Sequence, residues 1–169
     1  DLMGKTILEN TFGTGNILKA IVARYIKSAN SAGYSKEAVS FGLSRDIYGI
    51  ELDKGLFDNC IRELNDIVSQ YALPAVDWKL FQGNALEIDL NEKFDFIVGN
   101  PPYISYKEMD DESRKALKEK FVSCSAGKFD YCYAFIESAI SLLKDTGKLV
   151  QLIPNNIYKN VFAQKLREK

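Results

Sequence analysis

The chain has 169 residues, 46% of them hydrophobic and 27% charged, which is typical of a globular domain with a sizeable core. Its formal net charge is −1, so the chain as a whole lacks the basic signature of a protein that grips nucleic acid through phosphates. It contains no histidine, which excludes Ser-His-Asp and Cys-His catalysis and any zinc site that needs imidazole. The sequence predicts no metal site.

Three cysteines, Cys60, Cys124 and Cys132, form no Cys-x-x-Cys pair. Free thiols of this kind indicate a reducing compartment, so we expect a cytoplasmic protein. No signal peptide or membrane-spanning apolar run is present, and no membrane partner is expected. Because the chain enters a strand by Ile7 and stops inside a basic helical stretch, we expect residues 1–169 to be one domain cut from a longer protein.

The first predicted strand, Lys5–Glu9, leads into a glycine turn and an amphipathic helix. The turn is residues 10–15, Asn-Thr-Phe-Gly-Thr-Gly, and apolar residues at helical spacing continue over Asn16–Ile26. Glycine permits positive φ and lets a ligand approach the backbone closely. The helix N-terminus that follows favours negative charge. This arrangement indicates a ligand loop, although one Gly-x-Gly pair alone is a weak signal.

An acidic residue ends the second predicted strand, Asp46–Glu51. Residues 28–44, rich in Ser, Ala and Gly, separate this strand from the first helix and have room for a short helix near Lys36. Because of that segment, Glu51 stands about twice as far beyond the glycine turn as in the dinucleotide-binding fingerprint. A carboxylate at this tip can accept hydrogen bonds from a ribose diol. The alternative is an exposed acid at a strand end.

The middle of the chain continues the alternation of helix and strand. Hydrophobic spacing predicts a helix over Asp53–Tyr71, a third strand over Asp77–Phe81 and a fourth strand over Phe94–Val98. Asn84 follows the third strand, and Asn100 follows the fourth.

The last part of the chain predicts two helices, a fifth strand and the start of another helix. Asp110–Phe121 has the pattern of a solvated helix, with a functional lid as the alternative. The apolar helix over Asp130–Lys144 is expected to end with Gly147 as its C′ residue. Lys148–Ile153 is the fifth strand, and a helix begins within Val161–Lys169. The residues on which the solvated helix is expected to pack are Met109, Leu117 and Phe121.

Five strands that alternate with helices, without an internal repeat, predict a doubly wound, mostly parallel, Rossmann-like α/β sheet. The glycine turn, Glu51, Asn84 and Asn100 all fall at strand exits, where open α/β sheets bind their ligands. One common crevice at that edge is therefore expected.

The stretch that carries the chemistry is Asn100-Pro101-Pro102-Tyr103, directly after the fourth strand. The prolines fix φ and remove two N–H donors, which makes a stiff corner. The Asn100 amide oxygen and the Pro101 carbonyl are acceptors, and the Tyr103 ring lies beside them. Two acceptors and an aromatic face suit a planar substrate with an exocyclic amino group. The alternative is a plain strand-ending turn.

These residues resemble those of S-adenosylmethionine-dependent DNA adenine-N6 methyltransferases, particularly those of restriction–modification systems. The match spans nearly the whole chain, and residues 98–104, Val-Gly-Asn-Pro-Pro-Tyr-Ile, are similar to the family's catalytic motif. Residues 9–15 look like its cofactor loop, residues 48–53 like the segment whose acid holds the ribose, and Gly83-Asn84 like the segment that recognises the cofactor's adenine. Asp130, Phe135 and the aromatics between them resemble a further family pattern.

The resemblance implies that Asn100 and Pro101 activate an adenine amino group and that Tyr103 stacks on a base flipped out of the duplex. The full implied catalytic set is Asn100, Pro101, Pro102 and Tyr103. The implied S-adenosylmethionine-binding residues are Glu9, Thr11, Phe12, Gly13, Gly15, Glu51, Leu52, Asn84, Ala85 and Asn100.

The chain departs from the family pattern at two residues. Asn10 replaces a proline, and Asn84 replaces an aspartate, so its amide oxygen can still accept a hydrogen bond but without charge. The upstream helix of the cofactor pocket, the target-recognition region and the second aromatic that clamps the base are not found in this sequence.

Several functions remain open on the sequence alone. Double-stranded DNA is the expected partner, bound through regions outside this chain, together with a specificity or endonuclease region. Asn-Pro-Pro-Tyr also occurs in methyltransferases of protein glutamine, and related forms occur in rRNA enzymes. A non-catalytic cofactor-binding module of a larger restriction enzyme is the remaining alternative.

Overall fold

The computed structural model describes residues 2–158 and 163–167. Within these ranges five strands form one sheet in the order β3-β2-β1-β4-β5, and every neighbouring pair is parallel. The chain order reverses between β1 and β4, which confirms the predicted doubly wound class and fixes its switch point there. The strands are β1 (Ile7–Glu9), β2 (Ile47–Glu51), β3 (Lys79–Gln82), β4 (Phe94–Gly99) and β5 (Leu143–Gln151).

Side-chain caps define where three of the helices begin. Ser35 accepts from the Ala38 N–H, Asp53 from the Leu56 N–H and Asp110 from the Ser113 N–H. The helices in the described ranges are α1 (Asn16–Ser31), α2 (Lys36–Asp46), α3 (Lys54–Gln70), α4 (Asp111–Lys120), α5 (Cys132–Leu142) and α6 (Gln164–Arg167), with short 3₁₀ turns at Val122–Cys124 and Asn155–Tyr158.

Helices cover both faces of the sheet because successive strand residues point to opposite sides. In β1, Ile7 packs in a cluster with residues of α1, α2 and α3, whereas Leu8 packs in a cluster with Ala139 of α5. A third cluster joins α5 to α4, and there the expected packing residues Met109, Leu117 and Phe121 are all buried. In the described ranges no helix has both the length and the apolar character that spanning a bilayer requires.

The end of the apolar helix was predicted wrongly. α5 ends at Leu142, and Gly147 lies inside β5 with no left-handed φ. The strand leaves regular register here, since Phe94 pairs with Leu143 while Phe96 pairs with Lys148. A Cβ on Gly147 would lie 2.7 Å from the Phe94 carbonyl oxygen, so glycine is needed for close strand approach.

Other boundaries differ from the prediction as well, and β5 runs over Leu143–Gln151 instead of the expected Lys148–Ile153. α1 runs on to Ser31, and Asp46 ends α2 instead of opening β2. The Asp46 carboxylate accepts from the Gly4 N–H at 2.7 Å and the Tyr25 hydroxyl at 2.5 Å, which holds it at the helix end. The helix predicted from Val161 falls partly outside the described residues.

Candidate active site

The loops that leave β1 and β4 lie against each other at the switch point of the sheet. The Thr11 hydroxyl donates to the Asn100 backbone carbonyl at 3.3 Å. A Cβ on Gly99 would lie 2.7 Å from Asn10 Oδ1, so a larger residue there would require the Asn10 side chain to shift. The sequence therefore brings the glycine turn and the Asn-Pro-Pro-Tyr corner together, as expected for one crevice.

A crevice of about 360 Å³ opens between these loops and the exits of β2 and β3. Its volume falls in the range of roughly 300–1,000 Å³ that small-molecule sites occupy. The predicted site residues that line it are Thr11, Gly13, Glu51, Leu52, Asn84, Ala85, Asn100 and Pro102.

Six lining residues were not among the individually predicted site residues, although Asn10 and Gly83 lie in segments that resemble the family's cofactor-binding segments. Ile50 and Gly83 adjoin predicted residues, whereas Ile104, Tyr131 and Phe135 arrive from a segment far along the chain. The aromatic cluster after Asp130 was the one sequence signal that pointed to this last wall. The complete unpredicted set is Asn10, Ile50, Gly83, Ile104, Tyr131 and Phe135.

Five predicted residues are not among those that line the crevice: Glu9, Phe12, Gly15, Pro101 and Tyr103. Phe12 is buried in the core, with its ring centroid 5.9 Å from that of Phe57. Pro101 is buried as well, and Tyr103 is half exposed beside the corner.

The two predicted loop glycines have different surroundings. Both are left-handed, with φ 54° at Gly13 and 74° at Gly15. A Cβ on Gly13 would meet open space, whereas one on Gly15 would overlap Cys60 Sγ in α3. Gly13 thus leaves the backbone open towards the crevice, and Gly15 lets α1 pack closely on α3.

Glu9 is a buried carboxyl beneath the loop, 1% exposed. Burial, the largest effect, raises its pKa, a backbone hydrogen bond from Leu18 lowers it and the nearby Glu51 charge raises it by a smaller amount, so that the pKa is about 8. Its Oε2 has no hydrogen-bond partner in the described part of the chain. Glu9 is therefore mostly protonated at neutral pH.

Glu51 sits at the tip of β2 and holds two loops. Its Oε2 accepts from the Gly13 N–H at 2.7 Å, and its Oε1 accepts from the Asp53 N–H at 2.8 Å. Each carboxylate oxygen keeps capacity for another donor, so the group can still accept from a ligand diol.

Asn84 is held within its own turn. Its Oδ1 accepts from the Leu86 N–H at 3.0 Å, and its Nδ2 donates to Glu87 Oε1 at 2.8 Å. This is the local side-chain bonding that asparagine favours in turns. The side chain lines the crevice, and one lone pair of Oδ1 and one N–H of Nδ2 remain for a ligand.

The Asn-Pro-Pro-Tyr corner presents Asn100 and Pro102 to the crevice. The Tyr103 hydroxyl lies 2.5 Å from Asn100 Oδ1 and 2.9 Å from the Leu152 carbonyl, so its single proton is shared between two acceptors. The carboxamide is thus oriented by its own motif, and its oxygen retains one lone pair for a substrate N–H.

Solved methyltransferase structures share this fold. A putative class I S-adenosylmethionine-dependent methyltransferase from Listeria monocytogenes superposes with a TM-score of 0.68 over 97% of this chain and 43% of that chain, at 19% identity. At that identity the likeness establishes the Rossmann-like methyltransferase fold.

The sequence identifies the family. Residues 17–169 match the Eco57I restriction-modification methylase family, and the chain belongs to it. Type II methyltransferase M.BstVI of Geobacillus stearothermophilus is 29% identical over 96% of this chain and 30% of its own length. The type II restriction enzyme and methyltransferase RM.Eco57I of Escherichia coli is 34% identical over 57% of this chain. The chain spans under a third of M.BstVI and 12% of RM.Eco57I.

Proposed function

We propose that this chain is the catalytic methyltransferase domain, residues 1–169, of a restriction–modification enzyme that methylates the N6 amino group of adenine in double-stranded DNA. The observation that carries the proposal is that Asn100 and Pro102 line the same crevice as Gly13 and Glu51. An amino-group activator and a nucleoside-binding edge therefore meet in one site. Family membership supports restriction–modification as the setting, and buried free cysteines are consistent with the cytoplasm.

The crevice residues fit S-adenosylmethionine. Glu51 is available to the ribose diol, the open backbone at Gly13 to the methionine end, and the apolar side chains of Leu52 and Pro102 to the purine. The cofactor supplies a methyl group on a sulfonium, which becomes a neutral thioether when the carbon–sulfur bond breaks.

The chain's own contribution is to position the amine. An adenine amino group is a weak nucleophile because its lone pair is delocalised into the ring. Asn100 Oδ1 and the Pro101 carbonyl would each accept one N–H hydrogen and favour a pyramidal nitrogen whose lone pair attacks the methyl carbon. The extra proton on nitrogen then passes to solvent, which suits a site without histidine.

Asn100→Ala tests this assignment. We expect the variant to lose methyl transfer to DNA by at least about a hundredfold, since one preorganised polar group is worth that much in comparable sites. Calorimetry should still detect cofactor binding, because Gly13 and Glu51 are untouched. Full activity of the variant would refute the role of Asn100.

The substrate class needs a separate experiment. The corner would accept any amino-type nitrogen, including a protein glutamine amide or an rRNA base. Labelled-methyl transfer should therefore be measured on DNA, RNA and protein in parallel with the whole enzyme. Label only in protein or RNA would replace the DNA proposal, and cofactor binding without any transfer would identify a non-catalytic module.

A further inference from the structure

Much of the crevice surface is apolar, and Leu52, Ala85, Pro102 and Phe135 are among its lining residues. Asn84, expected to meet the purine's amino group, already accepts from Leu86 and donates to Glu87, which leaves one lone pair and one N–H. Apolar contacts hold a purine ring, but they do not distinguish one purine from another.

Tyr131 is a further lining residue of the crevice. Its ring packs edge-on against Phe135, with centroids 5.3 Å apart and an interplanar angle of 64°. Its backbone N–H donates to the Ile104 carbonyl at 2.9 Å, which fixes the start of α5 against the segment after the corner. Tyr131 and Asn84 line both the crevice and a neighbouring cavity of about 190 Å³, so they flank the same boundary.

The Tyr131 side chain carries an uncommitted polar group. Its hydroxyl makes no hydrogen bond to any residue that the structure describes, although the ring is half-buried. Burial raises the pKa of Tyr131, and the Glu87 charge adds to the increase. The hydroxyl therefore stays protonated at neutral pH and can both donate and accept.

We infer that the Tyr131 hydroxyl, which no described residue engages, recognises the amino-bearing edge of the cofactor's purine. In this arrangement it accepts a hydrogen bond from the 6-amino group. This assignment rests on the proposed function and makes Tyr131 a determinant of cofactor specificity. No part of it depends on which substrate receives the methyl group.

The test removes the Tyr131 hydroxyl from the protein and, separately, the 6-amino group from the ligand. Tyr131→Phe is compared with wild type by calorimetry, using S-adenosylhomocysteine and its analogue with unsubstituted purine in place of adenine. We expect Tyr131→Phe to weaken S-adenosylhomocysteine binding about three- to tenfold, as for one neutral hydrogen bond. The analogue should bind wild type and variant equally. Tyr34→Phe, an exposed tyrosine outside the crevice, is the matched control and should change neither affinity.

Each outcome decides a different point. Unchanged S-adenosylhomocysteine binding in Tyr131→Phe would overturn the inference. Equal weakening for both ligands would overturn it too, because that is the result of lost ring packing. If wild type binds neither ligand, the proposed function fails and the inference fails with it.

Discussion

Single side chains at the strand exits do more than face a ligand. Asn84 closes its own turn and Glu51 ties two loops, while Tyr103 orients Asn100. Residue types alone cannot reveal such commitments, because they depend on partners that only the folded chain brings within hydrogen-bond distance. This is why Asn84 could be predicted to lie in the site, whereas its diminished capacity to bind a ligand could not.

Glu9 gives a pH prediction at the scale of one carboxyl. Its pKa is 4.5 in the unfolded chain and about 8 in the fold, so between these values the folded state binds a proton that the unfolded state has lost. Stability should therefore fall as pH rises from about 4.5 to about 8. Glu9→Gln removes this titration. The free energy of unfolding of the variant should therefore increase relative to that of wild type by on the order of 3 kcal/mol between pH 5 and pH 8.

Urea unfolding of wild type and Glu9→Gln at the two pH values measures this difference. The amide resembles the protonated carboxyl in size and hydrogen-bonding pattern, which makes it the appropriate comparison. A stability difference that is the same at both pH values would show that Glu9 does not titrate in this range.

The glycine loop between β1 and α1 makes a prediction at the scale of an element. Gly13→Ala should cost about 1–2 kcal/mol of stability, since left-handed φ is its main penalty. Gly15→Ala adds a steric conflict with Cys60, so its total cost should reach about 2–5 kcal/mol.

The double variant Gly15→Ala with Cys60→Ala separates the two contributions to the Gly15 penalty. Removing Sγ should recover part of the lost stability, and the backbone strain should remain. The measurement is the denaturation midpoint of wild type, Gly13→Ala, Gly15→Ala and the double variant. Equal losses of stability in Gly13→Ala and Gly15→Ala would show that α3 shifts to accommodate the extra methyl group.

For the molecule as a whole, the net charge determines the expected affinity for DNA. With a net charge of −1, the isolated chain should bind duplex DNA weakly and without sequence preference, and salt should weaken binding further. Fluorescence anisotropy at about 50 and 200 mM salt checks this. Tight binding that survives the higher salt would contradict the idea that the DNA grip lies outside this chain.

Strand exits were predictable from sequence because they follow local hydrophobic runs, and the doubly wound class followed from the alternation of strands with helices. Tyr131 was missed as a lining residue because it reaches the crevice from the start of α5, a distant part of the chain. Gly147 was misassigned because close approach to Phe94 is a tertiary requirement, whereas its position after an apolar helix is a local cue. Pattern reasoning thus located one edge of the site and left its opposite wall undetermined.

The two backbone contacts of the Glu51 carboxylate have a consequence for how binding data are interpreted. Because this carboxylate already holds the backbone at Gly13 and Asp53 before a nucleoside binds, these loops lose little conformational entropy on binding. Truncating the side chain would therefore release two segments as well as delete a sugar contact. The measured affinity loss would overstate what the ribose itself gains, and the excess would appear as a less favourable binding entropy.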